Sequence, residues 1–507
     1  MASSTPALTL NQTDAVMGII TNFILDDEGV SDIAQLAIEK IKAYATSNGA
    51  STPPTIQDYT NAGVIGINNS NVADMNEIIR NLSALEVDTK EELQVLADAL
   101  GVTLPKKVVS FHNVPVITDG TIEGTKYLVD PYNNPNYMRP YTSANNELST
   151  YTVGDTIYFF AIDDVHGSEL WKTNGTPSGT VIVKDIYTGS ISINSSIGVP
   201  RLVGIGNHVY FASRNNNFSN FIFRSDGTDA GTIPIIQGSS NAQMIATNDM
   251  LYFAHKEEDT GLEPWISDGT NRGNIIKNIS FYSQPTSMKD PSSNPRYFTS
   301  FKDKVYFHAS YRDTTDNSIY NYALWSTDVN INRTLHILDM SIIDGKMVEC
   351  GEFLYFPGNK TSNDEKKLWK SDGTAMGTTS INVTAGKINS NPKLTCVNDS
   401  IYFLGKDSNN RSGLWKSNGT SSTTYFVKKI DGIADMKPVG NKLIIISLTE
   451  VWVSDGTFNG TVKLDILSNG IYSITPLTDK RVLISSYSEL WVTDGTLAGS
   501  QKLLERP

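Results

Sequence analysis

The chain has few cysteines, histidines and tryptophans and is light in charge. Its 507 residues include 2 Cys, 6 His and 7 Trp, and 19% are charged. Two cysteines are too few for a disulfide framework, and the histidines show no HExxH or paired metal spacing. Gly-x-Ser-x-Gly and P-loop patterns are also missing. We therefore predict no metal, no cofactor and no enzymatic activity.

Basic residues are in the minority, with 41 Lys and Arg against 54 Asp and Glu. The resulting charge of −13 and pI near 5.0 argue against nucleic acid, which binds a basic surface. No run approaches the roughly 18 apolar residues of a transmembrane helix. The first basic residue is Lys40, so a secretory signal is not visible. A processed chain, a recombinant fragment and export by another route all fit this pattern.

Candidate chemistry is sparse. His166, in Asp163-Asp-Val-His-Gly167, could join a cation or sugar site, although a solvated loop fits better. The acidic runs Asp26–Glu28 and Glu257–Asp259 lack the ladder of an EF-hand. Carboxylate pairs for glycoside hydrolysis stay open, because the two acids of such a pair can come from distant parts of the sequence.

Cys350 and Cys396 stand in neighbouring copies of a sequence repeat of about 46 residues, which favours a cross-link between them. Cys350 stands one residue before its hairpin turn and Cys396 two before its own. Strand alternation should point the two side chains to opposite faces. We therefore expect buried free thiols rather than a disulfide.

Residues 1–104 read as a small all-α domain. A first apolar stripe is followed by Ile33, Leu36, Ala37, Ile41 and Tyr44 at helical spacing. A second helical face and a capping-box-like start at Asp88-Thr-Lys-Glu91 complete the segment. The first helix is apolar over more than one face, so we predict that it mediates assembly or anchoring. Its candidate assembly residues are Val16, Ile19, Ile20, Phe23 and Ile24.

All seven tryptophans fall in one recurring phrase, as in Leu368-Trp-Lys-Ser-Asp-Gly-Thr374. Phe223 fills the same slot in one further copy. The set that we assign to the repeat is Trp171, Phe223, Trp265, Trp325, Trp369, Trp415, Trp452 and Trp491. We expect the indole to pack between sheets, while Asp or Asn and Gly form the turn that follows.

The repeats predict an eight-bladed β-propeller over residues 105–507, built from four-stranded blades. Each unit reads as a strand before a tight turn, a Tyr-Phe strand, the Trp strand and a return strand. Seven intervals of about 46 residues separate Trp171 from Trp491, which is typical of blades. A weaker ninth copy, Val116–Thr125, supplies a third and a fourth strand only.

The phrase resembles the ELWxxDGTxxGT proteins, whose hyalin-like repeats occur in large secreted or surface-attached bacterial proteins. The resemblance covers about 400 residues, from Val116 onward. It implies a propeller and an extracellular or cell-surface location, with no single activity. The segment from Pro54 to Gly63, running on through the Asp88 helix, looks like a small helical module repeated in large bacterial surface proteins.

Loop lengths vary around the predicted ring. A long loop is expected near residues 308–320, and the rim should be trimmed at 447–450 and 485–488. Such asymmetry accompanies binding surfaces, although neutral loop drift also explains it.

We predict a non-enzymatic protein of adhesion or structural self-assembly. It would form a homo-oligomer or polymer through the N-terminal helices, with surface glycans or proteins as partners. The alternatives are a carbohydrate-binding propeller lectin, using rim aromatics such as Tyr311 and Tyr320, and a propeller hydrolase.

Overall fold

The computed structural model describes residues 32–506 apart from 70, 100–104, 132–137, 143–147, 189–200, 218, 239–243, 271–272, 280–291, 313–319, 329–332, 344, 362, 384–385, 448 and 468–469. The chain splits into two compact units, Met1–Lys106 and Lys107–Pro507. The predicted assembly residues Val16, Ile19, Ile20, Phe23 and Ile24 lie outside the described residues. No helix of the described part is long and apolar enough to span a membrane.

The first unit is helical. The helices of its described residues are α1 (Asp32–Thr46), α2 (Ile56–Asn61), α3 (Val72–Ile79) and α4 (Lys90–Ala99), with a 3-10 turn at Ala84–Glu86. One cluster forms the core, in which Ile41, Tyr59, Met75 and Leu93 are fully buried.

The start of α4 differs from the prediction by one residue. Thr89, rather than Asp88, caps the helix, and the side chains of Thr89 and Glu92 each accept the other residue's backbone N–H. Ser/Thr followed by Glu three residues later is the capping-box pattern. Of the apolar residues at helical spacing in α1, Ala37, Ile41 and Tyr44 are buried, whereas Ile33 and Leu36 are 61% and 70% exposed.

Across its described residues the second unit forms nine antiparallel sheets, which we number as blades in chain order. Blade 1 has three strands: β1 (Lys107–Phe111), β2 (Val114–Thr118) and β3 (Lys126–Tyr127). Blades 2–4 comprise β4 (Arg139–Pro140), β5 (Thr150–Val153), β6 (Thr156–Asp163), β7 (Gly167–Thr173), β8 (Val181–Lys184); β9 (Val203–Ile205), β10 (His208–Arg214), β11 (Asn220–Ser225), β12 (Ile233–Gln237); and β13 (Ile245–Thr247), β14 (Met250–Glu257), β15 (Gly261–Ser267), β16 (Asn274–Ile275).

Blades 5–9 continue the series. Blades 5 and 6 comprise β17 (Arg296–Phe301), β18 (Lys304–Arg312), β19 (Tyr320–Asp328), β20 (Arg333–Asp339); and β21 (Ile342–Ile343), β22 (Val348–Cys350), β23 (Phe353–Asn359), β24 (Lys367–Ser371), β25 (Thr379–Ile381). Blades 7–9 comprise β26 (Gly386–Ile388), β27 (Thr395–Val397), β28 (Ser400–Asp407), β29 (Ser412–Ser417), β30 (Tyr425–Lys429); β31 (Ile433–Val439), β32 (Lys442–Ser447), β33 (Val451–Ser454), β34 (Thr461–Leu464); and β35 (Ile471–Pro476), β36 (Val482–Ser486), β37 (Glu489–Thr493), β38 (Gln501–Glu505).

The prediction of eight blades is wrong, because the weak ninth copy forms a blade of its own. β1 adds a strand equivalent to the second strand of the other blades, where the sequence predicted only a third and a fourth. Blade 1 packs on blade 9 through Phe111 and Leu483 and on blade 2 through Ile117 and Phe159. It therefore closes the ring.

Each of the nine interfaces between neighbouring blades in the described part holds one hydrophobic cluster. A single sheet would leave an apolar face in water, so burial requires two neighbours for every blade. A hydrogen bond also joins the first and the last blade. The Arg481 guanidinium of blade 9 donates to the Gly120 carbonyl of blade 1 at 3.0 Å, across 361 residues of sequence.

The blades present two different ends. The connections from second to third strand and from each fourth strand to the next blade form one end, which we call the loop face. The turns from first to second and from third to fourth strand form the other, the turn face. This division follows from the antiparallel strand order.

The expectation of free thiols is wrong, since Cys350 and Cys396 form a disulfide with a Cα–Cα distance of 5.4 Å. The two residues belong to β22 and β27, the strands that begin the hairpins of blades 6 and 7. Alternation does point them to opposite faces of their sheets. Opposite faces of successive blades pack against each other, however, so this alternation brings the thiols together.

Candidate functional sites on the propeller

The recurring Ser/Thr-Asp-Gly-Thr turn holds a relay of hydroxyl hydrogen bonds. In blade 6, the Gly373 N–H donates to Ser371 Oγ at 3.1 Å, and Ser371 Oγ lies 2.7 Å from Thr378 Oγ1. Thr378 Oγ1 in turn donates to the Thr374 carbonyl. The buried hydroxyls of Ser371 and Thr378 therefore all have partners, as buried polar groups require.

The Asp of the phrase stabilises the same turn by accepting further hydrogen bonds. The Asp372 carboxylate accepts the Thr374 N–H and hydroxyl, both at 2.8 Å, and these bonds hold its pKa below the ordinary value. A Cβ added to Gly377 would fall within 3.0 Å of that carboxylate. The second Gly of the phrase is therefore required by the Asp that precedes it. The same bonds recur in turns 118–125, 173–180, 225–232, 454–461 and 493–500.

The first Gly of the phrase leaves room for the tyrosine hydroxyl of the preceding blade, which lies against it. Gly373 has φ +98°, and a Cβ there would collide with the Tyr306 hydroxyl. The equivalent pairs are Tyr158–Gly227, Tyr210–Gly269, Tyr355–Gly419 and Tyr402–Gly456. The Tyr-Phe strand and the turn of the next blade thus form one contact, repeated around the ring.

The tryptophans pack against the preceding blade. Trp265 lies in a cluster with Tyr210 and Ile222 of blade 3, and Trp415 in one with Cys350 and Tyr355 of blade 6. The buried members of the predicted set are Trp171, Phe223, Trp265, Trp325, Trp369 and Trp415. Trp452 and Trp491 are only half-buried. The phrase therefore builds the interfaces between blades.

A buried acidic group lies at the loop face of blade 2. Glu169 is 1% exposed, and its Oε1 accepts the Tyr187 N–H at 3.0 Å. Burial, with Asp185 and Asp163 adding like charge, raises the pKa of Glu169 to about 8. His166 contacts Asp163, with Nδ1 2.8 Å from Oδ2. No cluster of three or more His, Cys, Asp or Glu in the described part could hold a metal.

Substituting Glu169 with Gln tests this burial. Because the folded-state pKa lies above the unfolded value near 4.5, the folded state holds the proton longer. Stability of the natural chain should therefore fall as pH rises from about 4.5 to 8, by up to about 1.4 kcal/mol per pH unit. The E169Q chain keeps an acceptor for Tyr187 and should lose this dependence. The measurement is the thermal midpoint of each chain across that pH range. An equal change of the midpoint with pH in both chains would contradict the prediction.

The loop face of blade 5 carries an aromatic and carboxylate cluster, which we call the rim cluster: Tyr311, Trp325, His336 and Asp339. Asp339 Oδ1 accepts the Tyr311 hydroxyl at 2.6 Å and lies 2.8 Å from His336 Nε2. His336 meets Tyr311 and Trp325 edge-on, at centroid distances of 5.4 and 5.2 Å. The Asp339 side chain is 59% exposed, so the cluster is open to a ligand.

Tyr311 was predicted as a rim aromatic from sequence, whereas His336 and Asp339 were not. Both lie on β20, and only the pairing of β18, β19 and β20 brings them close to Tyr311 near the end of β18. The side chain of Tyr320 is outside the described part. Of the long loop predicted near residues 308–320, residues 308–312 belong to β18 and Tyr320 begins β19, and residues 313–319 lie outside the described part.

Comparisons extend to the fold alone. No protein-family model and no curated protein sequence matches the chain. Among solved structures, an initiation factor from eukaryotes superposes with TM-score 0.49 and 6% identity, over 80% of this chain and 97% of that one. A puromycin hydrolase gives 0.39 and 11%, over 62% and 55%.

The β-propeller domain of the Trilobed protease from Pyrococcus furiosus gives a TM-score of 0.35 at 12% identity, over 60% of this chain and 96% of that one. The chain spans about half the length of the puromycin hydrolase. Sequence identities this low assign none of these proteins' activities to this chain. The strand order by itself shows a β-propeller of mostly four-stranded blades, and the chain also has an N-terminal helical segment.

Proposed function

We propose that this protein is a non-enzymatic, exported component of a cell surface or extracellular assembly, with the helical unit joining copies and the propeller displayed. This role combines the ELWxxDGT resemblance with the structural use of the repeated phrase. Each phrase supplies an interface anchor and a hydrogen-bonded turn, as expected of a rigid scaffold.

The observation that carries the assembly role is the apolar surface of α1. Ile33 and Leu36 are 61% and 70% exposed and stand three residues apart, so they share one helix face. They follow the apolar stripe of residues 16–24 in sequence. Burying both side chains against a second copy would contribute about 2–4 kcal/mol.

The Cys350–Cys396 disulfide supports export. Disulfides persist in oxidising compartments and are rare in a reducing cytosol. The acidic charge of −13 suits a soluble displayed domain.

Light scattering of the full chain tests assembly. The double variant Ile33→Asp/Leu36→Asp should shift the mass from oligomer to monomer. The matched control is Leu85→Asp, since Leu85 is 79% exposed in the same unit, and it should leave the mass unchanged. A monomeric natural chain, or a double variant that assembles normally, would contradict the role.

Carbohydrate binding is a second candidate, favoured by the rim cluster. Sugars stack on aromatic rings, and a carboxylate accepts their hydroxyls. Asp339 Oδ1 is held by Tyr311 and His336, which leaves Oδ2 to orient a ligand.

A glycan array probed with and without calcium tests this candidate. Tyr311→Ala and Asp339→Ala should each abolish the signals of the natural chain, because they remove the stacking ring and the acceptor. Asp465→Ala, which removes an exposed carboxylate of blade 8, should retain them. Blank arrays for the natural chain would refute the candidate.

A further inference from the structure

The hairpins that reach the loop face are short at blades 8 and 9. The second strands β32 and β36 have six and five residues, against seven to nine in the second strands of blades 2–7. The trimmed loops predicted from sequence thus leave this sector uncovered. Its aromatic side chains are correspondingly open, with Tyr472 and Tyr487 at 45% and 50% exposure.

Four side chains from blades 9 and 1 meet here, and we call them the closure cluster: His112, Tyr472, Tyr487 and Arg506. Tyr487 is central. Its ring centroid lies 5.4 Å from that of His112 and 6.4 Å from that of Tyr472, and the Arg506 guanidinium lies 4.9 Å from it.

Backbone contacts fix these positions. The Tyr487 N–H donates to the Gly470 carbonyl at 3.0 Å, beside the start of β35. The Arg506 N–H donates to the Ser488 carbonyl at 2.7 Å, beyond the end of β38. Tyr487 and Arg506 are therefore held side by side although 19 residues separate them in sequence.

Arg506 contributes a positive charge to the closure cluster, and this charge has no carboxylate partner among the described residues. Lys502 pairs with two acids of β37 and β38, lying 3.3 Å from Glu489 and 2.7 Å from Glu505. No carboxylate of the described residues forms an ion pair with Arg506. Burial and the charge of Arg506 lower the pKa of His112, so its ring is neutral at neutral pH and can hydrogen-bond a hydroxyl.

We propose that the closure cluster binds an acidic saccharide, a hexuronate unit of a polysaccharide. Tyr472 and Tyr487 supply faces for the sugar ring, and Arg506 binds its carboxylate through two parallel N–H groups. His112 lies beside the Tyr487 ring and forms a hydrogen bond with a hydroxyl of the sugar. The site is independent of the assembly surface on α1, and it differs from the rim cluster, whose charged group is a carboxylate.

Isothermal titration calorimetry of the full chain with trigalacturonate tests the proposal, with fully methyl-esterified trigalacturonate as the neutral probe. We expect saturable binding of the acid and at least about tenfold weaker binding of the ester, since the ester lacks the charge that Arg506 pairs with. Arg506→Gln should weaken binding of the acid to the level of the ester, and Tyr487→Ala should weaken binding of both probes.

Arg411→Gln is the matched control. Arg411 is an exposed arginine on the loop face of blade 7, but Asp407 holds it at 2.6 Å, so its loss should leave affinity unchanged. Both Arg506 and Tyr487 are exposed, and unchanged thermal midpoints would verify folding of their variants. Absence of saturable binding, equal binding of acid and ester, or normal binding by Arg506→Gln would overturn the proposal. None of these outcomes bears on assembly through Ile33 and Leu36.

Discussion

Replacing Gly377 with alanine is expected to lower the free energy of unfolding by about 3 kcal/mol. The new Cβ would fall within 3.0 Å of the Asp372 carboxylate. Either the carboxylate rotates away and loses both bonds to Thr374, or the turn opens and breaks the hydroxyl relay beneath it. The thermal midpoint of the full chain measures the effect.

Gly440→Ala is the control for backbone strain. Gly440 stands in a first-to-second-strand turn at φ +52°, with open space where a Cβ would lie. Only the left-handed backbone penalises alanine there, by about 1 kcal/mol. Equal midpoints for the two variants would show that the carboxylate does not dictate the second glycine of the phrase.

Removing the Cys350–Cys396 disulfide is expected to destabilise the propeller by about 2–4 kcal/mol. The bond closes a segment 46 residues long in sequence, and restraint of the unfolded chain grows with that length. Cys350→Ala/Cys396→Ala should therefore lower the thermal midpoint under non-reducing conditions.

Dithiothreitol gives the internal control. It should lower the midpoint of the natural chain toward that of the double variant and leave the variant unmoved, since no other cysteine exists. The prediction would be contradicted if dithiothreitol left the midpoint of the natural chain unchanged and the double variant had the same midpoint as the natural chain. Mass spectrometry after alkylation confirms the redox state of each sample.

Local residue chemistry explains why the blades could be predicted. The phrase contains its own anchor, turn and return strand, so each copy specifies a hairpin without reference to distant sequence. Blade 1 was not predicted as a blade because Val108 and Val109 stand in β1 where the second strands of other blades carry Tyr-Phe. Its place became clear only from the neighbours on which it packs.

The same distinction applies to the candidate sites. Tyr311 could be selected as a rim aromatic from loop length, but its partners His336 and Asp339 lie on another strand. The closure cluster joins residues near position 112 to residues near 487 and 506, which no local pattern relates.

By itself the sequence determined the hairpins, the turn chemistry and the packing role of the tryptophans, because these depend on residues within one repeat. The tertiary structure decided the number of blades, the Cys350–Cys396 bond and the side chains that share a surface. Those features depend on which faces of successive sheets meet, and ring closure sets that relation between residues hundreds of positions apart.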